Sequence, residues 1–173
     1  MATIAAKVGG SKATLYAYFP SKEALFAAVI EQYCAADLEP VALPDDDHLA
    51  ATLQALCEAY ARRALSADHI DVCRLVIAES RSMPHIGPAF FDMGLGRWTA
   101  RLAAVLDQAR RTGRLAVNDC GQAADQLSQL CLGSLYTQRL CDLSGPPSEG
   151  RLRDMVRAGL AVFLAAYRPA AAA

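Results

Sequence analysis

The stretch Ile4-Ala5-Ala6-Lys7-Val8-Gly9-Gly10-Ser11-Lys12-Ala13-Thr14-Leu15-Tyr16-Ala17-Tyr18-Phe19-Pro20-Ser21-Lys22-Glu23-Ala24-Leu25-Phe26 decides the fold of this 173-residue chain. Ile4, Ala5 and Val8 make an apolar stripe at helical spacing, and Gly9-Gly10 stops that helix by allowing the left-handed backbone of a C-terminal cap. The Ser11 hydroxyl can cap a second, short helix whose apolar side is Leu15, Ala13 and Phe19. Pro20 cannot continue that helix, and Ser21 caps a third, longer one beginning Lys22-Glu23-Ala24-Leu25-Phe26. Two helices joined by a tight glycine-containing turn have the geometry that sets a helix into a DNA major groove.

Charge points the same way. All three lysines, Lys7, Lys12 and Lys22, lie in the first 22 residues, and no acid precedes Glu23, so the segment carries +3. The other fourteen Arg against eighteen Asp and Glu give −4, which makes the net −1. A locally basic end on an acidic body suits phosphate contact in one orientation.

Ile4-Ala5-x-x-x-Gly9-x-Ser11-Lys12-x-Thr14-Leu15-Tyr16-x-Tyr18-Phe19-x-Ser21-Lys22-Glu23-x-Leu25 closely resembles the DNA-binding signature of the TetR family of bacterial transcriptional regulators. The resemblance implies an all-α homodimer in which the helix from about Lys12 to Phe19 enters the major groove of double-stranded operator DNA. By the same resemblance the DNA-binding set is Ser11, Lys12, Ala13, Thr14, Tyr16, Ala17, Tyr18 and Lys22. Lys12, Ala13 and Ala17 fall where members approach base edges; Thr14, Tyr16, Tyr18 and Lys22 fall where they contact phosphates. The chemistry agrees: a lysine donates to guanine, alanine methyls meet thymine methyls, and hydroxyls and an ammonium suit phosphate oxygens. The family has a further helix before Ile4. Met1 falls inside the helix that contains Ile4, so the sequence reads as an N-terminally shortened form whose first helix is missing. That opens an alternative: a DNA-binding-defective ligand sensor or dimerising antagonist.

For the rest of the chain, 54% hydrophobic and 20% charged residues allow a real core, and alanine richness with no long alternating segment favours helix throughout. The division expected is 1–38, a partial helix-turn-helix with its connecting helix, and 39–173, an effector-binding and dimerisation domain. The apolar stretch Gly159 to Tyr167 is too short to span a bilayer and no secretory signal precedes the motif, so a cytoplasmic protein without membrane contact is expected. Six cysteines and three histidines include no Cys-x-x-Cys and no ligand spacing, so neither metal nor cofactor is expected, and the thiols are expected reduced and mostly buried.

Punctuation predicts the remaining helices: Ser21 to about Leu38; Pro44 and Asp45-Asp46-Asp47 to about Ala64; Ile70 to Ser80; Pro88 to Arg111, interrupted near Gly94 and Gly96 and closed by Gly113; Asn118 or Asp119 to Asp142; and Ser148 to Tyr167. Glu79-x-x-x-x-Pro84…Phe90-Phe91…Leu102…Leu106…Ala109…Gly113-x-Leu115 resembles the C-terminal domain of the multidrug-efflux-regulator subgroup of the family.

Two late helices carry the densest apolar patterning, Ala124, Leu127, Cys131, Leu135 and Leu152, Val156, Gly159, Leu160, Phe163. Small Gly133, Ser134 and Gly159 permit close helix approach, so a dimer through the last two helices is expected, against the plainer reading that these residues are monomer core. Tyr60, Cys73, Ile77, Phe90, Phe91, Trp98, Cys131 and Tyr136 are candidate lining for a small, mostly apolar effector, with Arg81, His85 and Arg101 as polar anchors. An enzyme would need a catalytic constellation; Glu79 with His85 is the nearest, and neither stands at an informative spacing. The expectation is therefore a ligand-responsive regulator, a repressor at a palindromic operator, rather than an enzyme.

Overall fold

The computed structural model describes residues 12–35 and 48–169. Its elements are α1 Lys12–Tyr18, α2 Lys22–Ala35, α3 Leu49–Ala64, α4 Ala67–Glu79, α5 Ile86–Phe91, a π-helical turn Asp92–Gly96, α6 Arg97–Arg111, α7 Cys120–Leu140 and α8 Glu149–Ala166. Among the described residues there is no strand, and no helix is long and apolar enough to cross a membrane. The chain packs as two units, Met1–Glu39 with Val76–Gly94, and Pro40–Leu75 with Leu95–Ala173. The division expected at residue 38 falls outside the described residues; the addition of 76–94 to the first unit follows from α2 packing against α5, a pairing distant in sequence.

In the first unit, Pro20 ends α1, the Phe19 N–H donates to the Leu15 carbonyl at 2.9 Å, and the Ser21 hydroxyl accepts from the Ala24 N–H at 3.1 Å. The cap expected at Ser21 is thus made. Phe26 and Ile30 from α2 are buried, as are Val76, Met83 and Ile86 of the same unit. The expected start of α1 at Ser11, the preceding helix with Ile4 and Val8, and Cys34's side chain lie outside the described residues.

In the second unit α7 packs against α3, α6 and α8, and α3 against α8. Its core is one cluster built from Leu53, Leu56, Cys57 and Ala61 of α3; Leu102, Val105 and Leu106 of α6; Leu127, Cys131 and Leu135 of α7; and Leu152, Val156, Leu160 and Phe163 of α8. Three- and four-residue spacing puts each set on one helix face, which is why these segments bury as helices. Caps fix three of this unit's boundaries: Asp119 accepts from Gln122 N at 2.9 Å, Ser148 accepts from Arg151 N at 3.3 Å, and Gly113 closes α6 with φ +71°.

Three boundaries depart from expectation. The helix expected from Pro44 begins at Leu49, with His48 at its cap and no acid in its first turn; Asp45, Asp46 and Asp47 lie outside the described residues. The helix expected from Ile70 begins at Ala67, because the Ser66 hydroxyl accepts from the His69 N–H at 3.2 Å and starts it a turn earlier. Inside α7, Gly133 adopts φ 52° and ψ −151°, a backbone conformation open to glycine alone, so the continuous helix expected there is broken. The interruption expected at Gly94 and Gly96 is present as the π-helical turn.

The apolar stripes of the last two helices, Leu127, Cys131, Leu135 and Leu152, Val156, Gly159, Leu160, Phe163, are buried within the one chain, as is Ala124. Gly159 does permit a close approach: a Cβ there would lie 2.6 Å from the Leu130 carbonyl oxygen of α7. That approach is between α7 and α8 of the same chain. Gly133 and Ser134 are exposed, and the glycine is required by its dihedral angles rather than by space.

Candidate nucleic-acid interface and effector region

Helix α1 divides its residues sharply. Leu15 and the following Phe19 are half-buried, whereas Ala13, Thr14, Tyr16, Ala17 and Tyr18 are exposed. At 100° per residue these five cover one broad arc with Leu15 opposite it, so the short helix is held by one side and presents the other. The exposed arc is the part of the expected DNA-binding set that the structure describes on this helix. Tyr18 is 77% exposed and Tyr16 is 41%, so neither ring is packed away in a small core. Ser11 and the side chain of Lys12 lie outside the described residues.

Lys22, the remaining member of the set, opens α2. Its ammonium donates to Glu79 Oε1 at 2.7 Å, and the second carboxylate oxygen of Glu79 accepts from the Ser82 hydroxyl at 3.0 Å. The hydrogen bond from Lys22 first, then that from Ser82, holds the Glu79 carboxyl below the usual carboxylate range. Sequence reasoning assigned Glu79 only to a family pattern and set it beside His85; its partner 57 residues away carried no local signal.

The candidate effector residues fall in both units. Ile77, Phe90 and Phe91 belong to the first, where Ile77 and Phe91 are 62% and 53% exposed. Arg81 and His85 are exposed in that unit as well. Tyr60, Cys73, Trp98, Cys131 and Tyr136 belong to the second and are brought together there. Tyr60 and Trp98 stack with ring centroids 4.6 Å apart and planes within 4°. The Trp98 indole N–H donates to the buried Ser128 hydroxyl at 2.9 Å, which in turn donates to the Ala124 carbonyl at 2.8 Å. Cys73 Sγ and Tyr136 Oη are 3.3 Å apart. Cys57, which the sequence did not single out, is buried beside Cys131; that contact, then burial, drives its thiol pKa up. Burial likewise pushes the Tyr60 phenol up, with the Asp125 carboxylate adding to it. The result is a neutral aromatic and thiol cluster with three hydroxyl groups in it, surroundings that disfavour an ion.

A separate groove of about 420 Å³ runs between α3 and α8, lined by Ala50, Ala51, Leu160, Ala161 and Leu164 with Glu58 and Arg157. None of the expected effector residues lines it. Outward from the α7–α8 pair, Leu130 and Val162 are 38% and 58% exposed, and Ala158 and Ala165 are exposed with them. No group of side chains able to hold a metal ion occurs among the described residues.

Comparison with known proteins gives a consistent result. The family described as bacterial regulatory proteins, tetR family, matches residues 1–29, and the C-terminal domain of AefR-like transcriptional repressors matches residues 51–169. No curated protein matches the sequence significantly. Among solved structures, the chain is similar to a flavonoid-responsive regulator, FrrA, with 34% identity and a TM-score of 0.81, covering 99% of this chain and 87% of that one. It shares its fold with a TetR-family regulator from Pseudomonas syringae pv. tomato str. DC3000, at 24% identity and TM-score 0.75, covering 97% of this chain and 85% of the other. It shares it also with a putative TetR-family regulator from Mesorhizobium loti MAFF303099, at 23% identity and TM-score 0.73, over 96% and 85% of the two chains. The exposed arc on α1, the helical architecture of the described residues and these matches carry one conclusion: the chain belongs to the TetR family of bacterial transcriptional regulators, with a C-terminal domain of the AefR-like repressor type.

Proposed function

We propose that this regulator is a ligand-responsive repressor that binds a palindromic operator as a homodimer. The observation that carries the reading is the partition of α1, where Ala13, Thr14, Tyr16, Ala17 and Tyr18 face outward and Leu15 and Phe19 do not. Alanine methyls can meet thymine methyls, Lys12 can donate to guanine, and the hydroxyls and Lys22 suit phosphate oxygens that fix register without specifying sequence.

Two-fold pairing of α7 and α8 supplies the symmetry a palindrome requires, through the outward side with Leu130, Ala158, Val162 and Ala165. The effector is a small, mostly apolar molecule taken up around Tyr60, Trp98, Cys131, Cys73 and Tyr136. A planar aromatic compound fits best, because it can replace one ring of the Tyr60–Trp98 stack, and FrrA is by its name a flavonoid-responsive regulator. Helix α4 carries both Cys73, in contact with Tyr136, and Glu79, in contact with Lys22. An effector that prefers the released state shifts the population of the readers away from half-site spacing; one that binds both states equally shifts nothing.

The test is fluorescence anisotropy with a labelled duplex from the DNA adjoining the gene, titrated with flavonoids. Saturable binding by a dimer, reversed by a flavonoid that also quenches Trp98, is the expected result. Dimerisation and flavonoid binding without affinity for any duplex would support the dimerising antagonist instead.

A further inference from the structure

The Lys22–Glu79 pair conflicts with the use of Lys22 as a phosphate contact. Lys22 offers a compact charge with three donors, and one of them is already on Glu79 Oε1 at 2.7 Å. The lysine side chain is still 49% exposed, while that of Glu79 is 24% exposed and is oriented from its other oxygen by Ser82. A carboxylate fixed against the ammonium cancels its charge in the far field and sets a negative charge where a phosphate has to approach.

We propose that Glu79 is a built-in competitor of DNA phosphate for Lys22: the ammonium exchanges the carboxylate for a phosphate on binding, and the pair thereby lowers the affinity of the regulator, most of all at low salt. The inference rests on the reading of Lys22 as a phosphate contact. Glu79 lies on the last turn of α4 and Lys22 on the first turn of α2, so the competing partner is delivered by a different element of the same unit.

The experiment compares wild type, Glu79→Gln, Lys22→Gln and the double variant on a random-sequence duplex across 50 to 200 mM salt. Non-specific duplex suffices, since phosphate contact is independent of sequence. Thermal melts of all four check that the fold is kept. Wild type and Glu79→Gln end with the same phosphate contact, so Glu79→Gln should bind roughly 1.5- to 5-fold more tightly at low salt, a gain that shrinks as salt screens the pair. Lys22→Gln, which lacks the contact, should flatten the slope of log K against log salt by about 0.9. In the Lys22→Gln background Glu79→Gln should give little beyond a small non-specific gain. Weaker binding by Glu79→Gln would overturn the proposal and make Glu79 a residue that positions Lys22. An equal gain with and without Lys22 would overturn it too, reducing the effect to general charge. If wild type binds and Lys22→Gln leaves affinity and slope unchanged, the phosphate reading of Lys22 itself fails; if no form binds any duplex, the DNA-binding reading fails.

Discussion

Replacing Gly159 by alanine tests the packing of the second unit where it is tightest. The added Cβ would lie 2.6 Å from Leu130 O, 2.8 Å from Leu130 C and 3.1 Å from Cys131 N, all backbone atoms of α7. Ordinary contact begins at 3.4 Å, so the helices must part by about 0.8 Å, the difference of 3.4 and 2.6, and no rotamer change can relieve it. Overpacking of this kind costs about 1–3 kcal/mol, and alanine returns about 0.5–1 kcal/mol through helix propensity. A net loss of about 1–2 kcal/mol lowers Tm by roughly 2–8 °C in a chain of this size. Gly150, in the first turn of the same helix, is the control: its Cβ would meet nothing within 4 Å. Gly150→Ala should leave Tm unchanged or raise it by about 1–2 °C. Calorimetry or circular dichroism melts at one protein concentration compare the three proteins, since self-association makes Tm concentration-dependent. Gly159→Ala melting at or above wild type would refute the close approach of α7 and α8.

Alkaline pH should destabilise the fold. Cys57 and Tyr60 have raised pKa values in the folded state, so their contribution is full below the unfolded values, about 8.5 for a thiol and 10 for a phenol, and is lost as pH rises above them. The urea midpoint should fall between pH 8 and pH 10, less steeply in Cys57→Ala; a flat midpoint contradicts the buried thiol contact. Gly133→Ala should lose about 1–3 kcal/mol in urea unfolding, because φ 52° and ψ −151° strain any side-chain-bearing residue although the space is open. Wild-type stability in that variant would mean the break in α7 is absent. Trp98→Phe keeps a ring on Tyr60 but removes the donor to Ser128, for a loss of about 1 kcal/mol by the same measurement. An unchanged midpoint would show that this hydrogen bond contributes nothing.

Several elements were legible in the sequence because their determinants are local. Ser21, Asp119, Ser148 and Gly113 each mark a helix end by a hydrogen bond or dihedral angle made within three or four residues, and the structure has each one. The start of α4 is set just as locally, by the Ser66 hydroxyl, about one turn ahead of the apolar period that begins at Ile70. The candidate site was only partly legible. The outward arc of α1 follows from helical period and family pattern, whereas the aromatic cluster needed α3, α6 and α7 to meet before Tyr60 could stack on Trp98.

The sequence by itself determined that the chain is helical, where most helices start and stop, and which family's DNA-reading signature it carries, since capping chemistry, apolar period and a long ungapped motif are properties of neighbouring residues. Tertiary structure alone decided that Leu127 and Cys131 turn inward while Leu130 and Val162 stay outside, that Cys57 lies against Cys131, that Gly133 breaks α7, and that Lys22 is held by Glu79. Those outcomes depend on which faces of distant helices meet, and a helical period specifies a face without naming what will cover it.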